Sequence, residues 1–430
     1  MQHFEIRQLE QRLGDRELSV RMEAVRELQA ALENKAVQRP VCEGYTNNHV
    51  HTTFSFSPYT PANAVWQAIR SGLCTVGIVD HDSVSGAEEF IKAGEALSIA
   101  TTVGFEVRTD WSDTPFAGRR VNNPDQLTSA YICAHGVPHS QMDKADKFLA
   151  GIRSAREKRS RAMTERLNGL LRTHGIEINY DKDIIPLSYA EFGGEVTERH
   201  MLFALTKQLL AKYGKGEELI SFLTGKMGIA MSESQLKLLR DMEYEYYDYD
   251  VLNILKGSFV TPIYIESTTD ETPPVAEAVA AIRDMGAIPT YCYLGDVGAS
   301  PTGDKKEQKF EDDYLDDLFP VCRELGFDAI AYMPSRNTIS QLQRVMALCD
   351  KYSFLQISGE DINQPRQSFI CRQLKDPMFA HLADTAWALV GHEIAATEDI
   401  RKGFFGDGSK PDAQEISKRI QKYKAIGAGQ

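Results

Sequence analysis

The stretch NNHVHTTFSFSPYTP, residues 47–61, sets His49 and His51 on alternate positions at the end of an apolar segment. Alternate residues of a strand share a face, so the two imidazoles can be offered to one divalent ion, with a carboxylate from elsewhere completing or bridging the site. Further along, VDHDS carries Asp80, His81 and Asp82, GFEVR carries Glu106, and SGEDIN carries Glu360, Asp361 and Asn363. Each motif is a weak signal alone. An H-x-H pair is commonly an ordinary polar pair, a DHD a turn or helix start, and a strand-end glutamate a solvated carboxylate. Their order gives them weight, because each closes an apolar run that reads as a strand. In α/β barrels the loops at the C-terminal strand ends converge on one mouth, where active sites are built.

The elements that would carry these residues are legible as alternating textures. Residues 16–33 repeat apolar positions at Leu18, Met22, Val25, Leu28 and Leu32, which is helical spacing, so residues 1–40 are expected to form an N-terminal helical extension. From Tyr45 onward short apolar runs alternate with helical segments: TVGIVDHD, SGAEEFIKAGEALS, TTVGFEV, and later VAEAVAAIRDMG with AIPTYCYL, DDYLDDLFPVCRELG with FDAIAYM, and SQLQRVMALCDKY with SFLQISGED. Such alternation predicts βα units and a parallel sheet. A mostly helical stretch interrupts it. The expected organisation is an α/β barrel over residues 41–370, a helical insertion over roughly 138–250, and a C-terminal helical tail over 371–430.

Bulk composition narrows the function classes. The 430 residues are 42% hydrophobic and 25% charged, and no apolar run approaches the ~20 residues of a membrane span. The N-terminus mixes charges throughout and lacks the order of a signal peptide, so a cytoplasmic protein is expected. Seven cysteines without a C-x-x-C pair read as reduced core thiols, not a disulfide framework or zinc knuckle. The formal charge of −13 disfavours a nucleic-acid partner and favours a small substrate. One basic run, Lys144 to Arg166, reads as the solvated face of a long helix.

Taken in order, the motifs resemble the polymerase-and-histidinol-phosphatase (PHP) superfamily of metal-dependent phosphoesterases over roughly residues 45–365. HVHTTFSFS resembles the opening H-x-H-T-x-x-S-D-G, VDHDS the second motif T-D-H-D/N, and GFEVR the G-x-E strand. VTERHMLFAL supplies His200 at a helix start, and GEDIN matches the closing S-D-x-H in part. The resemblance implies a distorted seven-stranded βα barrel and two divalent ions, Mn, Fe or Zn. It implies His49, His51 and Asp361 on one ion, Glu106 bridging, and His200 on the other. The family usually adds a histidine on the strand after Glu106. Here Tyr131 stands at that point, with His135 four residues on; the two share a face ~13 Å apart, and His135 is carried as a candidate ligand.

Two departures bear on chemistry. Where three-metal members place an aspartate and a histidine for a third ion, this chain has Phe56 and Asn363. The third site is therefore expected to be absent, leaving His81 as a candidate proton donor, with Asp361 the other candidate. Arg336 in MPSRNT resembles the family's S-R-H segment and is the first candidate for binding phosphate, ahead of Arg199 and Arg366, since arginine's planar fork suits phosphate. The expected activity is metal-dependent hydrolysis of a small phosphomonoester or phosphodiester. A nuclease or RNA-processing enzyme, and a degenerate non-catalytic binding domain, are the alternatives. Substrate identity, native metal and oligomeric state are left open by the sequence.

Overall fold

The computed structural model describes residues 3–296 and 309–429. Seven strands follow one another around one sheet in chain order: β1 (Tyr45–Val50), β2 (Leu73–His81), β3 (Ala100–Asp110), β4 (Ser129–His135), β5 (Ile288–Cys292), β6 (Ala329–Tyr332) and β7 (Leu355–Ser358). The ends of the sheet meet through a bridge between Val50 and Ile362. There the His51 N–H donates to the Ile362 carbonyl at 2.9 Å and the Ile362 N–H to that of His49 at 3.1 Å. The sheet is thus a nearly closed barrel. Gly359 permits this approach, since a Cβ at that position would lie 2.6 Å from the Cβ of His49, and only glycine escapes the clash.

The expectation of a wholly parallel sheet fails at one strand. β4 runs antiparallel to both β3 and β5. A parallel neighbour would need a crossover long enough to return to the sheet's other end, whereas residues 111–128 form turns and bends without a helix. Reversal sends β4 from the mouth downward. Its register pairs Arg108 with Tyr131 and Glu106 with Cys133, so Tyr131 sits toward the mouth and His135 deeper in the barrel.

Helices α1 (His3–Leu13) and α2 (Leu18–Glu33) dock on α3 (Pro61–Arg70) and α4 (Ala87–Leu97) outside the barrel. The buried face of α2 is Arg21, Ala24, Val25, Leu28 and Ala31, while Leu18, expected on that face, is 52% exposed. The face is rotated because Arg21 is drawn inward by Glu89, an ion pair of 2.6 Å with side chains 3% and 5% exposed. Thr60 caps α3, accepting from the Asn63 N–H, with Pro61 at the first turn.

The insertion comprises α5 (Met142–Leu171), α6 (Glu198–Tyr213), α7 (Glu217–Ser221), α8 (Glu233–Arg240) and α9 (Tyr247–Ile263). It builds its own apolar core, in which Phe56 is packed. The basic run on α5 is not simply a solvated face. Arg156 and Arg159 are buried, Arg156 against Asp82 at 2.5 Å and Glu195 at 2.6 Å, and Arg159 against Glu271 at 2.6 Å. Buried charges persist only when paired in this way.

After the insertion, α10 (Val275–Asp284), α11 (Leu315–Leu325) and α12 (Ile339–Tyr352) complete the outer layer. The C-terminal segment is more than a tail. Ala388 and Leu389 of α13 (Ala380–Glu398) and Ile416 and Tyr423 of α14 (Ala413–Gly427) share one cluster with Val79, Cys133, Ile288 and Ile357 of the strands. These helices plug the end of the barrel opposite the mouth, because the inward-facing strand residues there are apolar and need cover.

One cysteine expectation is corrected: Cys42 and Cys74 form a disulfide with Cα atoms 5.2 Å apart, a normal span, because the chain entering β1 lies beside the start of β2. The other five cysteines are free and buried. Among the described residues no helix is long and apolar enough to cross a membrane.

Candidate metal centre

β1, β2 and β3 deliver His49, His51, His81 and Glu106 to one end of the barrel, and the segment after β7 adds Asp361. Two groups of donor atoms lie within 4.8 Å of one another there: His49, His51 and Asp361, and His51, His81 and Glu106. His51 Nε2 is 3.3 Å from Asp361 Oδ1, and His49 Nε2 is 4.0 Å from Glu106 Oε1. The His49 and His51 rings are 5.1 Å apart, those of His51 and His81 4.6 Å.

The loop after His51 explains the rest of the opening motif. Asp80 accepts from the Thr52 N–H at 2.6 Å, the Thr52 hydroxyl at 2.6 Å and the Ser55 hydroxyl at 2.7 Å. Ser55 Oγ in turn lies 3.3 Å from His51 Nδ1. A buried carboxylate must be hydrogen-bonded, and here its partners fix the turn that aims His51 Nε2 at Asp361. Such outer partners orient ligating imidazoles.

Electrostatics separate the histidines. Burial lowers the His49 pKa, with Glu106 only partly opposing it. Burial also lowers His51, but Asp361 and Glu106 outweigh it and the net shift is upward. The Glu106 carboxyl would be raised by burial; His81, His49 and His51 overcome this and bring it to about 2. A carboxylate held ionised beside three imidazoles is a donor set that suits Zn, Mn or Fe, so these residues fit a divalent ion.

His200 does not join them. Among the described residues it belongs to none of the groups of three or more potential ligands. Its Nδ1 accepts from the Thr197 N–H at 3.0 Å in a capping box, and its ring meets Phe56 edge-on at 4.9 Å. With Nδ1 accepting, the neutral ring carries its proton on Nε2, leaving no lone pair for a metal. Burial lowers its pKa to about 3.

His135 lies deeper, grouped with His49 and Cys133, its Nδ1 3.1 Å from Thr290 Oγ1. Burial lowers it to about 3. Register places Cys133, not Tyr131 or His135, directly across from Glu106. Cys133 and Cys292, read from the sequence only as core thiols, therefore stand beside the site. In the sequence Cys133 is marked only by its place two residues before His135, which puts the two on one face of the strand.

Phe56 and Asn363 have other work. Phe56 is packed against His200, Phe203 and Tyr249, while Asn363 Nδ2 donates to Asp361 Oδ1 at 2.7 Å. The three arginines differ. Arg366 is held by both oxygens of Asp250 at 2.8 Å, and Arg199 lies 5.9 Å from the Phe56 ring. Arg336 donates through Nε to the Leu294 carbonyl at 3.2 Å, and its buried Nη2 finds no hydrogen-bond partner among the described residues.

The PHP domain model matches residues 47–249. An error-prone DNA polymerase of Mycobacterium bovis is 35% identical over 79 residues, 16% of this chain and 7% of the polymerase. One from Mycolicibacterium paratuberculosis is 33% identical over 97 residues, 19% and 9% respectively. The chain thus spans only a small part of the length of these curated relatives. Among solved structures, a protein of Bifidobacterium adolescentis assigned as a metal-dependent phosphoesterase aligns with TM-score 0.51 and 20% identity, covering 79% of this chain and 96% of that one. An amidohydrolase of Chromobacterium violaceum with bound sulfate and no metal aligns with TM-score 0.51 and 16% identity, covering 76% and 90%. These two share the barrel and carry no further statement about this chain. The opening histidine pair, VDHDS and GFEVR all lie inside the matched span, so residues 47–249 are similar to the PHP domain family.

Proposed function

We propose that this protein is a metal-dependent hydrolase acting on a small phosphomonoester or phosphodiester. The observation that carries the reading is the convergence of His49, His51, His81, Glu106 and Asp361 at one barrel mouth. Divalent ions held there would supply Lewis acidity and an activated water for in-line attack at phosphorus.

The residues divide the remaining tasks. His49, His51 and Asp361 would hold one ion, with Glu106 beside them, paired to His81 through Oε2 and 4.0 Å from His49 through Oε1. Glu106 Oε2 lies 2.9 Å from His81 Nδ1, which fixes the His81 ring and leaves Nε2 to hand a proton to the leaving oxygen. Arg336, whose Nη2 has no hydrogen-bond partner among the described residues, is the best placed of the three arginines to receive a phosphoryl oxygen, because Arg366 is already committed to Asp250.

A nucleic-acid substrate is the weaker reading. The polymerase relatives cover too little of themselves here to transfer their activity, and two of the basic residues on α5 are spent on internal carboxylates. The test is metal content of the purified protein followed by assay against phosphomonoesters, phosphodiesters and a single-stranded oligonucleotide. Bound metal with turnover of a small ester supports the proposal. Absence of metal after reconstitution with Mn, Fe and Zn would leave a non-catalytic binding domain.

A further inference from the structure

Below the mouth, the barrel interior holds a second set of donors that the reading above does not use. Cys133 on β4 and Cys292 on β5 bring their Sγ atoms to 3.2 Å, and Cys133 Sγ lies 3.8 Å from Glu106 Oε1. All three residues are buried. Their donor atoms form one group, and Cys133 is shared with a second group containing His49 and His135.

A buried thiol is by default a small apolar side chain. Two facts go beyond that default. First, Glu106 Oε1 has a weak S–H donor at 3.8 Å and an imidazole nitrogen at 4.0 Å, long contacts for a buried carboxylate oxygen. Second, the spacing suits coordination. Bonds of ~2.3 Å to sulfur and ~2.0 Å to oxygen at tetrahedral angles call for about 3.8 Å between two sulfurs and about 3.5 Å between sulfur and oxygen. The sulfurs stand at 3.2 Å and the sulfur–oxygen pair at 3.8 Å, so small side-chain rotations of roughly half an ångström would bring the three donors, already within 4.8 Å of one another, onto one ion.

We propose that Cys133, Cys292 and Glu106 form a thiolate-containing metal site in the barrel floor, taking a soft divalent ion such as zinc, with Glu106 linking it to the histidine site above. Thiolate donors select zinc over magnesium or manganese, whereas the imidazole and carboxylate donors of the mouth accept manganese as well. The two sites therefore differ in metal preference. The proposal rests on the metal-binding reading of the mouth only in that Glu106 is common to both.

The experiment is cobalt titration of the full-length, reduced, metal-stripped protein, followed by absorption spectroscopy and metal analysis. Thiolate ligation produces an intense near-ultraviolet charge-transfer band that nitrogen and oxygen ligands lack. The parent protein is expected to show this band. Cys292→Ser is expected to abolish it and to lose about one equivalent of cobalt, while His51→Ala keeps the band and loses cobalt from the mouth. Cobalt bound without the band, or full cobalt binding by Cys292→Ser, would overturn the thiolate site and leave the mouth site standing. No cobalt bound at all would overturn both. If circular dichroism shows Cys292→Ser unfolded, the parent spectrum and Cys133→Ser decide.

Discussion

His81 Nδ1 lies 2.9 Å from Glu106 Oε2, and the two residues are register partners on β2 and β3. Parallel strands in register bring paired side chains out on one face, so the VDH and GFE motifs meet through sheet geometry alone. This contact tethers the Nδ1 side of the imidazole and orients its other nitrogen.

A positioned proton donor and a metal ligand leave different kinetic signatures at His81. His81→Asn is expected to keep bound metal and lose roughly 10²–10⁴-fold in rate on esters with poor leaving groups. Activated aryl phosphates, which leave without protonation, are expected to lose far less. Equal slowing of both substrates with reduced metal content would instead make His81 a ligand, as its grouping with His51 and Glu106 also permits.

Removing a ligand should separate metal binding from folding. His49→Ala and Glu106→Gln are expected to lose metal and activity together. Both side chains sit at a polar mouth and are absent from the apolar clusters, so secondary structure by circular dichroism should be unchanged. Full metal content in both variants would place the centre elsewhere.

Much of this site was readable before the structure because strand ends and motif order are local properties. β4 was not. Side-chain alternation is the same whichever way a strand runs, so nothing in AYICAHG could show that the strand is reversed, or that Cys133 would oppose Glu106. His200 carries a related ambiguity: TERH at a helix start can serve a capping box as well as a metal, and the structure places its Nδ1 on the Thr197 N–H. The burial of Arg156 and Arg159 depended on carboxylates from three distant segments, Asp82, Glu195 and Glu271, which charge patterning along α5 cannot reveal.

Phe56 marks where the barrel and insertion interlock. Its side chain is 6% exposed and belongs to the insertion's apolar core. Phe56→Ala is expected to destabilise the protein by ~3–5 kcal/mol, the usual cost of a buried phenylalanine cavity, measured by chemical denaturation. A loss well under ~1 kcal/mol would mean that the insertion's core does not depend on this residue.

His392 offers a pH test at the opposite end of the barrel from the mouth. On α13 its Nδ1 accepts from the Phe404 N–H at 2.9 Å, and Nε2 lies 3.0 Å from the Gly136 carbonyl. One nitrogen must accept and the other donate, so the ring is neutral, and burial holds its pKa down to about 4 with the Gly136 bond only partly opposing. The unfolded chain, titrating near the ordinary histidine value of ~6.5, binds this proton more readily. Stability from this residue is therefore complete above pH ~6.5 and is lost as pH falls toward ~4, by on the order of 3 kcal/mol. His392→Gln removes the titrating group. Its unfolding free energy should be lower than the parent's at pH 7.5, and the difference should shrink on acidification through that window. Parallel pH profiles for parent and variant would show that His392 does not couple the C-terminal plug to pH.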